Sequence, residues 1–183
     1  MDVLPIFVDI ETFGLNGDYG VVLCGVTMKY GQEPIVHRID ILDGQIGACD
    51  RATVESIAEE MENALFYVAH NGLNFDRKVL NTRLLIQGLA PLNPHIKIID
   101  PVQVARKHLA MSSNRLESLQ LAFQIPEEKT KLNPHLWRAA ALDHSVAALD
   151  EIVEHCRLDV VVLAKVLEPL LPLVGRINEW GSA

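Results

Sequence analysis

Apolar residues recur along the chain at two spacings, and these spacings predict a series of strands and helices. Alternating or short apolar runs are typical of strands, and apolar positions three and four apart are typical of helices. The predicted strands are residues 3–10, 20–30, 33–42, 66–70 and 95–100. The predicted helices are residues 52–65, 74–88, 102–110, 115–124 and 145–171, and a polar loop with proline is predicted for 124–135.

The order of these elements predicts the fold class. Three strands precede the first helix, and a short turn at residues 31–32 joins the second to the third. Strands joined by tight turns pair antiparallel, whereas strands joined through helices run parallel. We therefore expect an α/β fold whose mixed five-stranded sheet has three antiparallel strands first and then parallel strands, flanked by helices. One domain is expected over residues 1–183.

Composition limits the class of protein. The 183 residues are 49% hydrophobic and 22% charged, which is ordinary for a globular chain. No apolar run is long enough to span a bilayer, and the N-terminus lacks the pattern of a signal peptide, so we expect a cytoplasmic protein without membrane association. The three scattered cysteines, Cys24, Cys49 and Cys156, argue against a disulfide framework and a cysteine zinc site.

Charge is distributed unevenly along the chain. The net charge is −8, yet residues 77–138 carry 10 Lys and Arg against 4 Asp and Glu. One interpretation is a set of solvated helix faces. The other is a positive surface that follows a phosphate backbone beside an acidic metal site.

Carboxylates interrupt the apolar segments at four places. Asp9 and Glu11 are two apart in a predicted strand, so their side chains share one face. Asp76 falls in the first turn of a predicted helix, where an acidic residue also suits the helix dipole. Asp159 lies among aliphatic residues four positions after His155, and an intrahelical pair is the alternative there.

A divalent cation would explain all four carboxylates together. Buried carboxylates are costly unless they are paired or bind metal. Oxygen-only ligands suit Mg²⁺ or Mn²⁺, and two such ions require about this many carboxylates.

Three segments together resemble the motifs of a known family. The strand "FVDIETFGL", the segment "HNGLNFDRKVL" and the helix "HCRLD" look like the three motifs of the DEDD 3′–5′ exonucleases. That superfamily has a ribonuclease H-like fold and includes the proofreading domains of DNA polymerases. The resemblance covers nearly the whole chain. It implies a metal-dependent exonuclease that removes 5′-mononucleotides from the 3′ end of single-stranded nucleic acid, with DNA favoured.

The resemblance also implies residue roles. Asp9, Glu11, Asp76 and Asp159 would bind two Mg²⁺ or Mn²⁺ ions. Family members have a Tyr four residues before the last Asp or a His five residues before it, whereas this chain has His155 at four and Glu154 at five. His155 is the expected general base, because an imidazole can accept a proton near neutral pH. The residues expected to contact the substrate are Thr12, Phe13, Leu15 and Asn71.

Several alternatives stay open from sequence. Phe13 could equally be a core residue, and Asp100 could cap a helix or lie near the site. The rival functions are an endonuclease for structured or RNA–DNA hybrid substrates and a non-catalytic nucleic-acid-binding domain. Another possibility is that the chain acts in trans as the proofreading partner of a polymerase, or with another replication or repair protein. The sequence does not distinguish DNA from RNA as substrate.

Overall fold

A mixed five-stranded sheet forms the centre of the protein in the computed structural model, which describes residues 5–47, 49–126 and 132–174. The strands are β1 (Ile6–Phe13), β2 (Val21–Lys29), β3 (Ile35–Arg38), β4 (Phe66–Val68) and β5 (Lys97–Ile99). Their order across the sheet is β3-β2-β1-β4-β5. β1, β2 and β3 pair antiparallel, whereas β4 and β5 join β1 in parallel. The predicted mixed sheet is confirmed.

Helices cover both faces of the sheet. They are α1 (Ile39–Leu42), α2 (Arg51–Glu62), α3 (Asp76–Ile86), α4 (Pro101–His108), α5 (Leu116–Ala122), α6 (His135–Asp143) and α7 (Val146–Leu170), and a short 3-10 turn follows at Leu171–Leu173. The long last helix is confirmed, with Ser145 as its N-cap. Among the described residues, none of the helices has the length and apolar character needed to cross a membrane.

The alternation of β1 separates two apolar layers. Ile6, Val8 and Ile10 are buried in the layer that contains α2 and α3. Phe7 is buried in the other layer, which α7 dominates. Burial of such a side chain stabilises the fold by about 1.5–3 kcal/mol. Because side chains two apart share a face, Asp9 and Glu11 continue the row of Phe7 toward α7.

The ladder between β1 and β4 is short. Ile6 is opposite Tyr67 and Phe7 is opposite Val68, and within the described residues the pairing stops there although β1 runs on to Phe13. The backbone N–H of Ile10 instead donates to the carboxylate of Asp76. The end of β1 therefore lies beside the start of α3.

A buried ion pair fastens the loop that follows β1. Asp50 is fully buried, Arg83 is 5% exposed, and Arg83 Nη2 lies 2.7 Å from Asp50 Oδ1. The second Asp50 oxygen accepts from the backbone N–H of Val22 at 2.8 Å, and Arg83 Nη1 donates to the carbonyl of Gly17 at 3.2 Å. Removing one member of such a pair costs about 3–5 kcal/mol, because the other charge stays buried alone.

The predicted third strand is too long at its C-terminal end. β3 stops at Arg38, and Ile39–Leu42 form the helical turn α1. In a strand, Ile39 and Ile41 would share a face, but Ile39 is fully buried and Ile41 is 70% exposed. The turn places one isoleucine in the core and leaves the other at the surface.

The second difference is α6, which the sequence patterns do not predict. Residues 127–131 of the predicted loop lie outside the described residues, and the loop ends where α6 begins at His135. α6 has no side-chain N-cap, and only Ala140 within it is buried. Its apolar periodicity is correspondingly weak.

Candidate functional site

The four predicted carboxylates meet at the end of β1. Asp9 and Glu11 extend from β1, Asp76 is the first residue of α3, and Asp159 lies on α7. Burial, followed by the charges of Glu11, Asp76 and Asp159, holds the pKa of Asp9 well above its ordinary value. Like charges this close oppose ionisation of one another. The structure therefore brings together the carboxylates that the sequence singled out.

Asp76 is a buried member of this group of four carboxylates. Its exposed fraction is 3%, and burial raises the pKa of Asp76 to about 7. The backbone N–H of Ile10 and its own backbone N–H donate to the carboxylate and lower the pKa, whereas the charge of Asp100 raises it. A bound cation would favour the ionised form.

Glu11 is held by a tryptophan from a distant segment. The indole Nε1 of Trp137 donates to Oε2 of Glu11 at 2.8 Å. Trp137 lies on α6 and packs, partly buried, against the apolar layer of α7. Sequence reasoning missed this residue. The available signal was that a buried indole N–H needs an acceptor, but the acceptor is 126 positions away.

Two residues of α7 lie close to Asp159 and Asp9. Nε2 of His155 lies 3.9 Å from Oδ2 of Asp159, and both side chains are mostly buried. The thiol of Cys156 donates to the backbone carbonyl of Asp9 at 3.4 Å, and burial keeps the pKa of this thiol well above its ordinary value. The carboxylate of Glu154 is bound by Arg157 at 2.7 Å on the helix surface. His155 therefore lies next to Asp159, whereas Glu154 pairs with Arg157.

Asp100 supports the loop that leads to Asp76. It is fully buried, and its Oδ1 accepts from the backbone N–H of Val102 at 3.0 Å, so Asp100 caps α4. The same oxygen accepts from the backbone N–H of Asn71 at 2.9 Å, where Asn71 has a φ of 63°. Of the two roles that the sequence left open, the structure shows both: Asp100 caps a helix, and its charge acts on Asp76.

The other residues predicted to contact substrate have different surroundings. The hydroxyl of Thr12 donates to the carbonyl of Gly14 at 2.6 Å. Phe13 packs partly buried against the core, and Leu15 is 81% exposed. Leu15 borders a cavity of about 250 Å³ whose lining includes Asn74, Lys78 and Thr82. Oδ1 of Asn71 accepts from Nδ2 of Asn74 at 3.2 Å.

A basic opening lies next to the loop that carries Asn71. Its volume is about 530 Å³, and exposed Arg106 and Arg115 line it. The remaining lining residues are His70, Asn71, Val102, Ser112, Ser113, Asn114 and Leu116. The basic segment of the sequence, residues 77–138, therefore contributes two guanidinium groups to one surface, which borders the loop that leads to Asp76.

The donor set suits a hard cation in its chemistry. All four side chains offer carboxylate oxygens, the ligands that Mg²⁺ and Mn²⁺ prefer. As the side chains stand, no group of three or more His, Cys, Asp or Glu within the described ranges is arranged to hold a metal ion. Binding of one cation by three of these carboxylates would therefore require at least one of the side chains to rotate.

Comparisons with known proteins agree with this architecture. A sequence model of the RNase H superfamily matches residues 6–171. Among solved structures, the family B DNA polymerase from the hyperthermophilic archaeon Pyrobaculum calidifontis matches with a TM-score of 0.77 and 14% sequence identity. The match covers 94% of this chain and 25% of the polymerase chain, so the present chain spans about a quarter of its length. A comparison with curated proteins finds no sequence match.

The family assignment follows from the extent of the sequence match. The matched residues run from the start of β1 through α7, so they include the whole sheet and all four carboxylates. At its low identity, the likeness to the polymerase shows a shared fold. The expected ribonuclease H-like fold is confirmed, and the chain belongs to the RNase H superfamily.

Proposed function

We propose that the protein is a metal-dependent 3′–5′ exonuclease that acts on single-stranded nucleic acid, with DNA favoured, and releases 5′-mononucleotides. The observation that carries this proposal is the meeting of Asp9, Glu11, Asp76 and Asp159, where burial and then the charges of the other three raise the pKa of Asp9. A protein gains nothing in stability from this arrangement alone, whereas a cation site requires it. Membership of the RNase H superfamily supports nuclease chemistry in general, and the order of the three motifs supports the DEDD exonucleases.

The four carboxylates would hold two Mg²⁺ or Mn²⁺ ions. When bound, such a pair stabilises charge on the attacking and leaving oxygens of an in-line displacement. The protein's own contribution is to position these ligands from three elements, with the carbonyl of Asp9 fixed by Cys156 and the carboxylate of Asp76 fixed by the N–H of Ile10.

His155 is proposed as the general base. It lies one helical turn from Asp159, with 3.9 Å between Nε2 and Oδ2, so its ring is within reach of a water molecule beside that carboxylate. The binding of Glu154 by Arg157 supports this choice, because the position five residues before Asp159 has another partner. His155 would then accept the proton of the attacking water.

The substrate strand is proposed to lie between two surfaces. Exposed Leu15, which follows β1, offers an apolar contact for the terminal base, Thr12 lies at the end of β1, and Asn71 lines the basic opening. Part-buried Phe13 would add a second apolar contact. The guanidinium groups of Arg106 and Arg115 would bind backbone phosphates farther from the 3′ end.

The fold likeness to part of a family B DNA polymerase supports a role beside a polymerase or another replication or repair protein. The purified chain could be tested for stimulation of its hydrolysis by such a protein. An unchanged rate at saturating partner would contradict this role without affecting the exonuclease proposal.

The decisive experiment separates exonuclease from endonuclease. Single-stranded DNA and RNA labelled at the 5′ end are incubated with Mg²⁺ or Mn²⁺, in one set with a free 3′ hydroxyl and in another with an inverted 3′ nucleotide. We expect a ladder that shortens from the free 3′ end and stalls at the blocked end. Cleavage of the blocked strand would support the endonuclease, and binding without hydrolysis would support the non-catalytic domain. Asp9→Asn is the matched inactive control.

A further inference from the structure

The hydrogen bond between Trp137 and Glu11 connects the site to α6. The indole Nε1 donates to Oε2 across 2.8 Å, and the two residues are 126 positions apart in sequence. Neither the proposed proton transfer nor the proposed phosphate contacts use Trp137. The contact therefore needs an explanation of its own.

The indole is suited to hold a carboxylate without competing for a cation. Its N–H only donates, so Trp137 can bind Glu11 but cannot serve as a metal ligand. The ring packs against the α7 layer, and Ala140, one turn farther along α6, is fully buried. The donor is thus fixed by packing on the same layer that carries Asp159.

Glu11 is the ligand that most needs such support. The sheet register shifts between Glu11 and Thr12, so the regular ladder that fixes Asp9 is interrupted beside Glu11. A glutamate has three rotatable side-chain bonds, whereas the three aspartates have two. An unsupported carboxylate at this position would sample many orientations.

We propose that Trp137 is a positioning residue that presents the carboxylate of Glu11 for metal binding. This inference rests on the proposed function, because it requires Glu11 to be a metal ligand. Carboxylate ligands are commonly oriented by hydrogen bonds from residues that do not touch the metal, and removal of such a partner costs about 10–100-fold in metal affinity. Loss of the indole N–H should weaken metal binding by that factor.

The test measures Mn²⁺ binding by calorimetry in the absence of nucleic acid. The variants are Trp137→Phe and a protein in which β-(3-benzothienyl)alanine replaces Trp137, which keeps the bicyclic shape and removes only the N–H. Both should bind Mn²⁺ about 10–100-fold more weakly than the wild type. Tyr30→Phe, which removes a different aromatic donor to a carboxylate, the hydroxyl that donates to Glu168 at 2.9 Å, should bind like the wild type.

A double-mutant cycle distinguishes positioning from packing. In a Glu11→Ala background, removal of the indole N–H should cause no further loss of affinity, because the group that it positions is gone. If Trp137→Phe fails to fold, the benzothienyl variant decides the question. Equal or tighter Mn²⁺ binding by that variant would overturn the positioning role while leaving the exonuclease proposal intact. Absence of Mn²⁺ binding by the wild type would overturn both.

Discussion

The backbone N–H of Asn71 donates to Oδ1 of Asp100 across 2.9 Å, which joins the loop after β4 to the residue that follows β5. That loop contains Asn71, a predicted substrate contact, and leads to Asp76, a predicted metal ligand at the start of α3. A buried acid outside the predicted quartet thus supports the site through the backbone.

Replacement of Asp100 tests this support. Asp100→Ala removes the acceptor of the N–H groups of Asn71 and Val102, and each buried unsatisfied group costs about 1–3 kcal/mol. We expect the free energy of unfolding in urea to fall by several kcal/mol and turnover to fall with it. Asp100→Asn keeps an acceptor oxygen and should lose less. Equal stability of the wild type and the Ala variant would contradict the role.

Asp76 should make the metal-free protein sensitive to pH. Burial raises the pKa of Asp76 from 3.8 to about 7, so the folded state binds the proton more tightly than the unfolded state. This stabilisation is fully present below about pH 4 and is lost as the pH rises through 7. The melting temperature in chelator should therefore fall over that range, and Mg²⁺ or Mn²⁺ should restore it at pH 8.

The variant Asp76→Asn tests whether Asp76 causes this fall of the melting temperature with pH. It should flatten the pH dependence and raise the melting temperature at pH 8, by on the order of 2–4 °C for each kcal/mol. Glu117→Gln, which removes an exposed acid of α5, should keep the wild-type slope. A clear destabilisation by Asp76→Asn at pH 8 would mean that a cationic side chain stabilises the ionised carboxylate.

His155 is tested by its effect on turnover alone. His155→Ala should keep the fold and the Mn²⁺ affinity but reduce turnover by roughly 10²–10⁴-fold, the usual contribution of a positioned general base. His155→Tyr should retain more activity, because the resemblance implies that Tyr at this spacing orients the water. Glu154→Gln is the control and should turn over normally. If His155→Ala has the wild-type rate and pH profile, His155 is only a helix partner of Asp159.

The basic opening should control affinity for the substrate strand. Reversal of Arg106 and Arg115 to Glu should weaken binding of single-stranded DNA and flatten its salt dependence, by roughly 0.7 in the logarithmic slope for each lost phosphate contact. Turnover of bound substrate should change little. The control is Lys29→Glu at the opposite end of the β1–β2 ladder, where Lys29 is opposite Ile6. If Lys29→Glu weakened binding as much as reversal of Arg106 and Arg115, the basic segment would be an ordinary solvated surface.

Sequence patterns singled out the four carboxylates because the signal for each of them lies within a few residues of the chain. A carboxylate that interrupts an apolar strand or helix is visible within a few residues, and β1 places Asp9 and Glu11 on one face by alternation alone. Trp137 and Asp100 were harder, because their roles depend on partners 126 and 29 positions away. The sequence patterns did not predict α6 for a related reason. It has one fully buried residue and no side-chain cap, so its formation depends on tertiary contacts more than on apolar periodicity.

The short ladder between β1 and β4 has a consequence for how this fold tolerates change. The two strands separate after Phe7 and Val68, and the carboxylates lie where β1 continues without β4. Two more paired residues in β4 would close this gap and take the N–H of Ile10 away from Asp76. Insertions elsewhere in the surface loops should be tolerated, whereas a longer β4 would convert the site into ordinary sheet. The length of a three-residue strand thus decides whether the N–H of Ile10 is available to Asp76.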